Sequence, residues 1–415
     1  MTTTPWDDDR TAALREQFPF LMAHPELVYL DAAATTPMPD AVVAAVHRHL
    51  TVRGVNAGRG AYRLAGEVQG EVEQVRAEVA GFVGADADGL AFTSGATQAF
   101  DVLGRGWAEH RLQEGDEIIL GTADHAATVG PWFALARRRG LRIVPYRLTA
   151  SGDPDVADLA ARVTTRTAVV VVPHVHHVHG ERADVAGIRA AAGPAPVLVL
   201  DATHSVSHVP VDVEDLDVDA VVFSAHKVFG PPGVGVLWLS PRLREQLTDV
   251  WSGGIATGTR GVAAAVERGT LNTPGIMGLG AALRFVRQLG LDQIHAQVSA
   301  LTHTLVGELR RMSGVRLLPG VWASSCGRGY GIVSLDVPGV PAADVGYVLD
   351  QQGICVRADS QCRYGARTGD EVIRISVHAY TRADELERAA AALGRVAARS
   401  RTRARTHLAS PSRQN

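Results

Sequence analysis

Asp201 and Lys227 stand 26 residues apart, each just beyond an apolar run. The run Ala195–Leu200 ends in Asp201. The run Val218–Phe223 ends in Ser224 and leads through Ala225 and His226 to Lys227. Short β-branched runs that end in polar residues read as buried parallel strands delivering side chains to a shared edge. A carboxylate and an amine at neighbouring strand ends suit pyridoxal phosphate. The lysine condenses with the cofactor aldehyde, and the aspartate pairs with the ring nitrogen and keeps it protonated, so that the ring can take up electrons. The same pair also fits a buried structural aspartate and an unrelated surface lysine.

Other residues fit the same cofactor. Gly95-Ala96-Thr97-Gln98 follows the apolar run Ala91-Phe92-Thr93 and opens a helix. Backbone N–H groups at a helix start, with a hydroxyl beside them, make a phosphate seat; an ordinary Ser/Thr cap is the plainer reading. Ser224 and His226 lie close enough to Lys227 to add phosphate contacts. His125 follows the run Glu117–Gly121, where a flat imidazole can stack on a pyridine ring. His174, His176, His177 and His179 form a dense run that suggests a metal. Alternation along a strand end would put His174 and His176 on one face and His177 and His179 on the other. No cysteine or carboxylate lies within the run, so no metal is assigned.

These residues need a sheet to hold them. Strand-like runs at Leu90–Thr93, Glu117–Leu120, Arg142–Arg147, Ala168–Val172, Val197–Leu200, Ala220–Phe223 and Val234–Leu239 alternate with helical stretches, among them Val68–Gly84, Thr97–Gly106 and Ala183–Ala192. That alternation predicts an α/β sheet covered on both faces, with its ligand beyond the carboxyl ends of the strands. From about residue 285 the pattern changes: a helix at Leu291–Ser313, a strand at Gly331–Val337, a helix at Ala342–Gln352, strands at Ile354–Arg357 and Val372–Ser376, and a helix at Arg382–Ala398. The expected organisation is an N-terminal segment (1–27) packing with the small domain, a large cofactor-binding domain (28–284), a small α+β domain (285–398) and a basic, disordered tail (399–415). The tail holds five arginines between Arg399 and Arg413 and no acid.

The 415 residues are 46% hydrophobic, enough for a substantial core, and a net charge of −3 gives no reason to expect nucleic acid or membrane binding. Three cysteines, Cys326, Cys355 and Cys362, without paired spacing argue against a disulfide framework. No apolar run reaches the roughly 18 residues of a membrane span. The expectation is a soluble, cytoplasmic protein.

The ordered motifs resemble fold-type I enzymes of the class V aminotransferase group, and within it the group II cysteine desulfurases and selenocysteine lyases. Carrying the resemblance are Tyr29-Leu30-Asp31-Ala32-Ala33-Ala34, Asn56-x-x-Arg59-Gly60, Gly95-Ala96-Thr97, Asp124-His125 with Trp132, Asp201-Ala202-Thr203-His204 and Ser224-Ala225-His226-Lys227-x-x-Gly230-Pro231. Gly253-Gly254, Gly269-Thr270, Gly353-Ile354-Cys355-Val356-Arg357 and Arg374-Ile375-Ser376 continue it. It implies a mixed, mostly parallel seven-stranded sheet in the large domain. Lys227 is then the Schiff-base lysine, Asp201 the pyridinium partner and His125 the stacking ring. Ala96, Thr97, Ser224 and His226 hold the phosphate, and His177 and His204 face the cofactor. Thr270 completes the phosphate site of a partner subunit, which implies a homodimer with shared active sites. Ala33, Arg59, Arg357 and Arg374 meet the amino-acid substrate, Arg374 as the bidentate carboxylate clamp. Cys362 falls at the nucleophilic cysteine that takes sulfur as a persulfide, and a sulfur-acceptor protein is the implied partner.

Departures gather around the ring and the substrate mouth. Arg357-Ala358-Asp359-Ser360-Gln361-Cys362 stands where the desulfurases carry Arg-x-Gly-His-His-Cys. His177 replaces an asparagine, His204 a glutamine, and Gly58 a polar active-site histidine. Three reactions stay open on one scaffold: desulfuration through Cys362, β-elimination from a cysteine S-conjugate, and decarboxylation with oxidative deamination of such a conjugate. A catalytically silent binding protein of the same fold is the alternative of another class.

Overall fold

The computed structural model describes residues 5–58, 60–247, 261–320 and 329–409. Arg59, Cys326 and the Gly253-Gly254 motif lie outside the described residues. The main sheet has seven strands: β2 (Leu90–Thr93), β3 (Glu117–Leu120), β4 (Arg142–Pro145), β5 (Thr167–Pro173), β6 (Val197–Asp201), β7 (Ala220–Ser224) and β8 (Gly235–Leu239). A two-residue strand β1 (Val28–Tyr29) precedes them. The order is β2-β8-β7-β6-β5-β3-β4, with β8 antiparallel to both neighbours and every other pairing parallel. This is the mixed, mostly parallel seven-stranded sheet expected from the sequence.

Period two along the strands builds a core on each face. Val170, Val172, Leu198, Leu200, Val221 and Phe223 pack into one buried cluster. Their neighbours Val169, Val171, Val197, Val199, Ala220 and Val222 pack into another. Burial on both sides explains why these strands read as continuous apolar runs rather than alternating ones.

One face rests on the helix Thr273–Leu289, which also packs on Asp40–Arg48 and Arg63–Phe82. Its glycines allow the close approach. A Cβ on Gly278 would lie 2.8 Å from Pro231 and 2.9 Å from Val46, and one on Gly280 would lie 2.8 Å from Val75. The same glycines weaken its helical signal in the sequence.

The second sheet is antiparallel, in the order β12 (Arg357–Asp359), β13 (Val372–Ser376), β10 (Ile332–Asp336), β9 (Arg316–Leu317). A short strand β11 (Ile354–Cys355) pairs in parallel with β1. The single strand expected at Ile354–Arg357 is therefore divided at Val356, and its two halves serve different sheets. The final helix, expected to stop at Ala398, runs from Ala383 to Ala409 and so takes in the first part of the segment expected to be a disordered tail. Near the N-terminus, Trp6 N donates to Gln297 Oε1 at 2.9 Å and Arg15 pairs with Glu385 at 3.0 Å.

Candidate active site

The register of the parallel strands sets Pro173 beside Asp201, and Asp201 beside Val222, two residues before Ser224. The chain segments leaving β5, β6 and β7 thus share one edge of the sheet. A cavity of about 250 Å³ opens there. Its walls carry Asp201, Thr203 and His204 after β6, Ser224, His226 and Lys227 after β7, His177 after β5, and His125, Ala96 and Thr97 at helix starts. Arg357 reaches it from the second sheet.

Each group is held by identifiable partners. Asp201 is buried; its Oδ2 accepts from Thr128 Oγ1 at 2.5 Å and its Oδ1 from Thr203 N at 3.0 Å. Lys227 Nζ donates to the Ala33 carbonyl. Burial, reinforced by Arg374, draws the Lys227 ammonium down to about 7, so an amine near neutrality is available as base or nucleophile. His125 Nδ1 accepts from Ala127 N at 3.1 Å at the start of the helix Ala126–Arg139, which leaves the ring proton on Nε2. Burial lowers the His125 imidazole and holds His177 and His204 well below the usual range, so all three are neutral rings. His177 meets His125 edge-on with ring centres 5.2 Å apart. Ser224 Oγ accepts from Ala96 N at 2.9 Å and ties β7 to the start of the helix Ala96–Val102.

The histidine run does not alternate as a strand would. Past Pro173 the chain turns: Gly180 N donates to His176 O, and His176 Nδ1 accepts from Val178 N and His179 N. The rings of His176 and His179 then lie 4.6 Å apart, on one side rather than on opposite faces. Their outer partners differ: Ser205 for His174, Asp124 for His176 and the Pro319 carbonyl for His179.

Arg374 and Cys362 do not line the cavity. Arg374 is buried on β13, with Nη1 donating to the His177 carbonyl at 3.1 Å and Nη2 facing Asp31 at 3.4 Å. Cys362 is exposed on the loop after β12, with Arg357 Nη2 donating to its sulfur at 2.9 Å. Thr270 lines a separate cavity of about 340 Å³ with Ser94 and Gln98. Sequence reasoning missed Thr128 and Thr203, the two donors to Asp201. Thr128 lies three residues beyond His125 at the start of one helix, a spacing that places the two on one face. The sequence also contains a plainer signal: Lys227 is the only lysine in the chain, and every other cation among its 41 Lys and Arg residues is an arginine.

The cavity fits pyridoxal phosphate. His177 Nε2 and Thr203 Oγ1 are buried on its walls without a hydrogen-bond partner among the described residues. Asp201 would accept from a protonated ring nitrogen, Lys227 would supply the amine, and Thr97, Ser224 and His226 would seat the phosphate beside Ala96, whose N–H is given to Ser224 Oγ. Fold and site together define a pyridoxal-phosphate enzyme of fold type I. The sequence pattern of Aminotransferase class-V matches residues 28–389, and the chain belongs to that family. It is 34% identical over 402 residues to a cysteine desulfurase of Yersinia pseudotuberculosis, across 92% of this chain and 97% of the relative. To a probable cysteine desulfurase of Vibrio cholerae it is 32% identical over 399 residues, with the same coverage. It superposes on the cysteine desulfurase of Thermococcus onnurineus with a TM-score of 0.85 and 26% identity, covering 93% of this chain and 98% of the other. The corresponding values for the cysteine desulfurase CsdA of Escherichia coli are 0.81 and 28%, at the same coverage. Among the described residues no helix is long and apolar enough to cross a membrane.

Proposed function

We propose that the protein cleaves the C–S bond of L-cysteine or a cysteine S-conjugate, with desulfuration through Cys362 as the leading reaction. The observation that carries this reading is the Arg357–Cys362 contact of 2.9 Å, on a loop whose Cys362 carbonyl accepts from Ala126 N at 2.8 Å, beside His125. Arg357 sets a guanidinium cation directly against that sulfur. The bound cofactor would act as the electron sink for the substrate's Cα. Lys227 takes the Cα proton, Asp201 holds the ring nitrogen, and His125 and His177 present neutral rings. Cys362 sulfur forms an S–S bond with the substrate sulfur as the Cβ–S bond breaks. The electron pair of that bond stays on carbon, which takes up a proton, leaving alanine and a protein persulfide. The absence of Cys362 from the cavity walls favours a second reading, β-elimination, which gives a thiol or sulfide, pyruvate and ammonia without a protein nucleophile. Product analysis with L-cysteine separates them: alanine with a persulfide on Cys362 supports the first, pyruvate and ammonia the second.

Arg374 is proposed to set the substrate carboxylate. Its Nε is buried without a hydrogen-bond partner among the described residues, and the guanidinium is anchored by His177 O and Asp31. Arg374→Lys keeps the charge and loses the planar fork. The expected result is a KM raised roughly ten- to a hundredfold, the worth of one charge-assisted hydrogen bond, with the cofactor spectrum unchanged. An unaltered KM removes Arg374 from this role.

A homodimer is the proposed assembly. Thr270 is not among the residues lining its own chain's cofactor cavity, which supports the reading that it serves a neighbour's site. Leu50 and Val52, 62% and 64% exposed, are apolar side chains of the kind a neighbour covers. Cys362, exposed at the rim, is the proposed point of contact for a sulfur acceptor.

A further inference from the structure

Lys227 borders two spaces. Besides the cofactor cavity it lines a small chamber of about 20 Å³, bordered by Ala33, Thr203, Ser207, His208 and His378 among others. That volume holds about one water molecule. Thr203 and His204 form part of both spaces.

The polar groups of the chamber have a fixed sense. Ala379 N–H donates to His378 Nδ1 at 2.9 Å, so the proton of that ring sits on Nε2 and is donated to Ser207 Oγ, 3.2 Å away. The hydroxyl proton of Ser207 is then directed at His208 Nδ1, 3.0 Å away. Burial keeps both rings neutral, His378 down to about 3 and His208 well below its usual range. A hydroxyl oxygen accepts two hydrogen bonds, so Ser207 keeps one lone pair free. Thr203 Oγ1 is buried without a hydrogen-bond partner among the described residues, and the Ala33 carbonyl takes the Lys227 amine. The chamber therefore offers acceptors: a carbonyl, a lone pair and an unsatisfied hydroxyl. An ammonium group carries three donors and no acceptor.

We propose that this chamber solvates the Lys227 ammonium whenever the lysine is not bonded to the cofactor. One water, held by Thr203 Oγ1 and Ser207 Oγ, completes the hydrogen bonds that Ala33 begins, and the His378–Ser207–His208 chain keeps Ser207 turned as an acceptor. Thr203, Ser207 and His378 are positioning residues, because they act through Lys227. The proposal rests on Lys227 being the cofactor lysine. Substrate binding must release that lysine, and the chamber gives the freed amine a place to take up and hold a proton. The charged groups around the amine are mixed in sign: Arg374 and Arg357 oppose its protonation, Asp31 and Asp201 favour it. His125, His204 and His226 are held neutral by burial and add no charge. Hydrogen bonding in the chamber is thus the part of the balance that can be changed without altering a charge.

The test uses the full-length, cofactor-free protein, labelled with a trace acylating reagent across a pH series. Lys227 is the only ε-amine, and the N-terminal amine serves as the internal standard. Thr203→Val and Ser207→Ala should each lower the pH midpoint of Lys227 labelling by roughly one unit, a tenfold change in proton affinity. Thr203→Ser, which keeps the hydroxyl, should restore it. An unchanged midpoint in Thr203→Val overturns the proposal. So does an equal fall in Thr203→Val and Thr203→Ser, which would trace the effect to packing. Ser207→Ala provides the same reading should Thr203→Val fail to fold. Failure of the cofactor-lysine reading shows separately, as the absence of cofactor on Lys227 after borohydride reduction of the holoenzyme.

Discussion

Lys227→Ala should lower kcat by at least roughly 10²- to 10⁴-fold, the usual worth of a positioned acid–base group, and should abolish covalent retention of the cofactor. Borohydride reduction of the wild-type holoenzyme, followed by peptide mapping, should place a pyridoxyl group on Lys227; in the variant no side chain remains to take it, since the chain has no other lysine. A label confined to the N-terminal amine overturns the assignment. The capture of cofactor also has a predictable pH dependence. The neutral amine is the nucleophile, and its fraction grows as pH rises through the amine's own value. With the ammonium drawn down to about 7 from the ordinary 10.5, half is neutral at pH 7, against about 1 in 3,000 for an unperturbed lysine. The rate of cofactor uptake by the cofactor-free protein should rise with pH and level off above about 8. A rate still climbing at pH 9 or 10 would contradict the buried, arginine-flanked setting of Lys227.

Cys362→Ala decides between the two sulfur reactions. If Cys362 is the sulfur acceptor, its loss stops persulfide formation and lowers alanine release from L-cysteine by roughly 10²-fold or more, the scale of a lost nucleophile or acid–base group. Pyruvate formation from an S-substituted cysteine should persist, because elimination needs only Lys227 and the electron sink. Full retention of alanine release would make Cys362 dispensable. If neither substrate reacts with the wild-type enzyme, C–S cleavage is the wrong reaction and oxidative decarboxylation of an S-conjugate takes its place. The variant should fold normally, since the side chain is exposed and gives up only a hydrogen bond from Arg357.

The main sheet was legible because its strands are buried on both faces. Ala168–Val172, Val197–Leu200 and Ala220–Phe223 read as unbroken apolar runs, and the structure extends the first by one residue at each end and the others by one residue at the carboxyl end. The small domain was less so. β11 and β12 are two- and three-residue strands divided at Val356, and no periodicity survives over such lengths. The helix Thr273–Leu289 was hidden by the glycines its packing requires. At the site, the strand ends brought Asp201 and Lys227 together as a candidate pair and left their role open. The positions of Arg374 and Cys362 were not readable, because the turn of the β12–β13 loop depends on Gln361. Gln361 and Cys362 both take left-handed backbone angles, φ +57° and +53°, at a cost of order 1–3 kcal/mol each. The Gln361 side chain, 1% exposed, offsets that by donating to the Val372 carbonyl at 3.1 Å. A buried glutamine holding a strained turn has no sequence signature.

That turn also decides which partner travels. The loop is sewn to the His125 helix by Ala126 N on the Cys362 carbonyl and by Tyr364 N on the Asp124 carbonyl, at 2.8 and 3.0 Å. With its backbone fastened at both ends, the Cys362 sulfur has only the rotation about its own Cα–Cβ bond for reach. An enzyme whose sulfur sat on a long mobile arm could carry it outward to a waiting acceptor. If Cys362 takes the sulfur as proposed, the persulfide stays on this fastened loop, and an acceptor thiol would have to come within the span of one side-chain rotation.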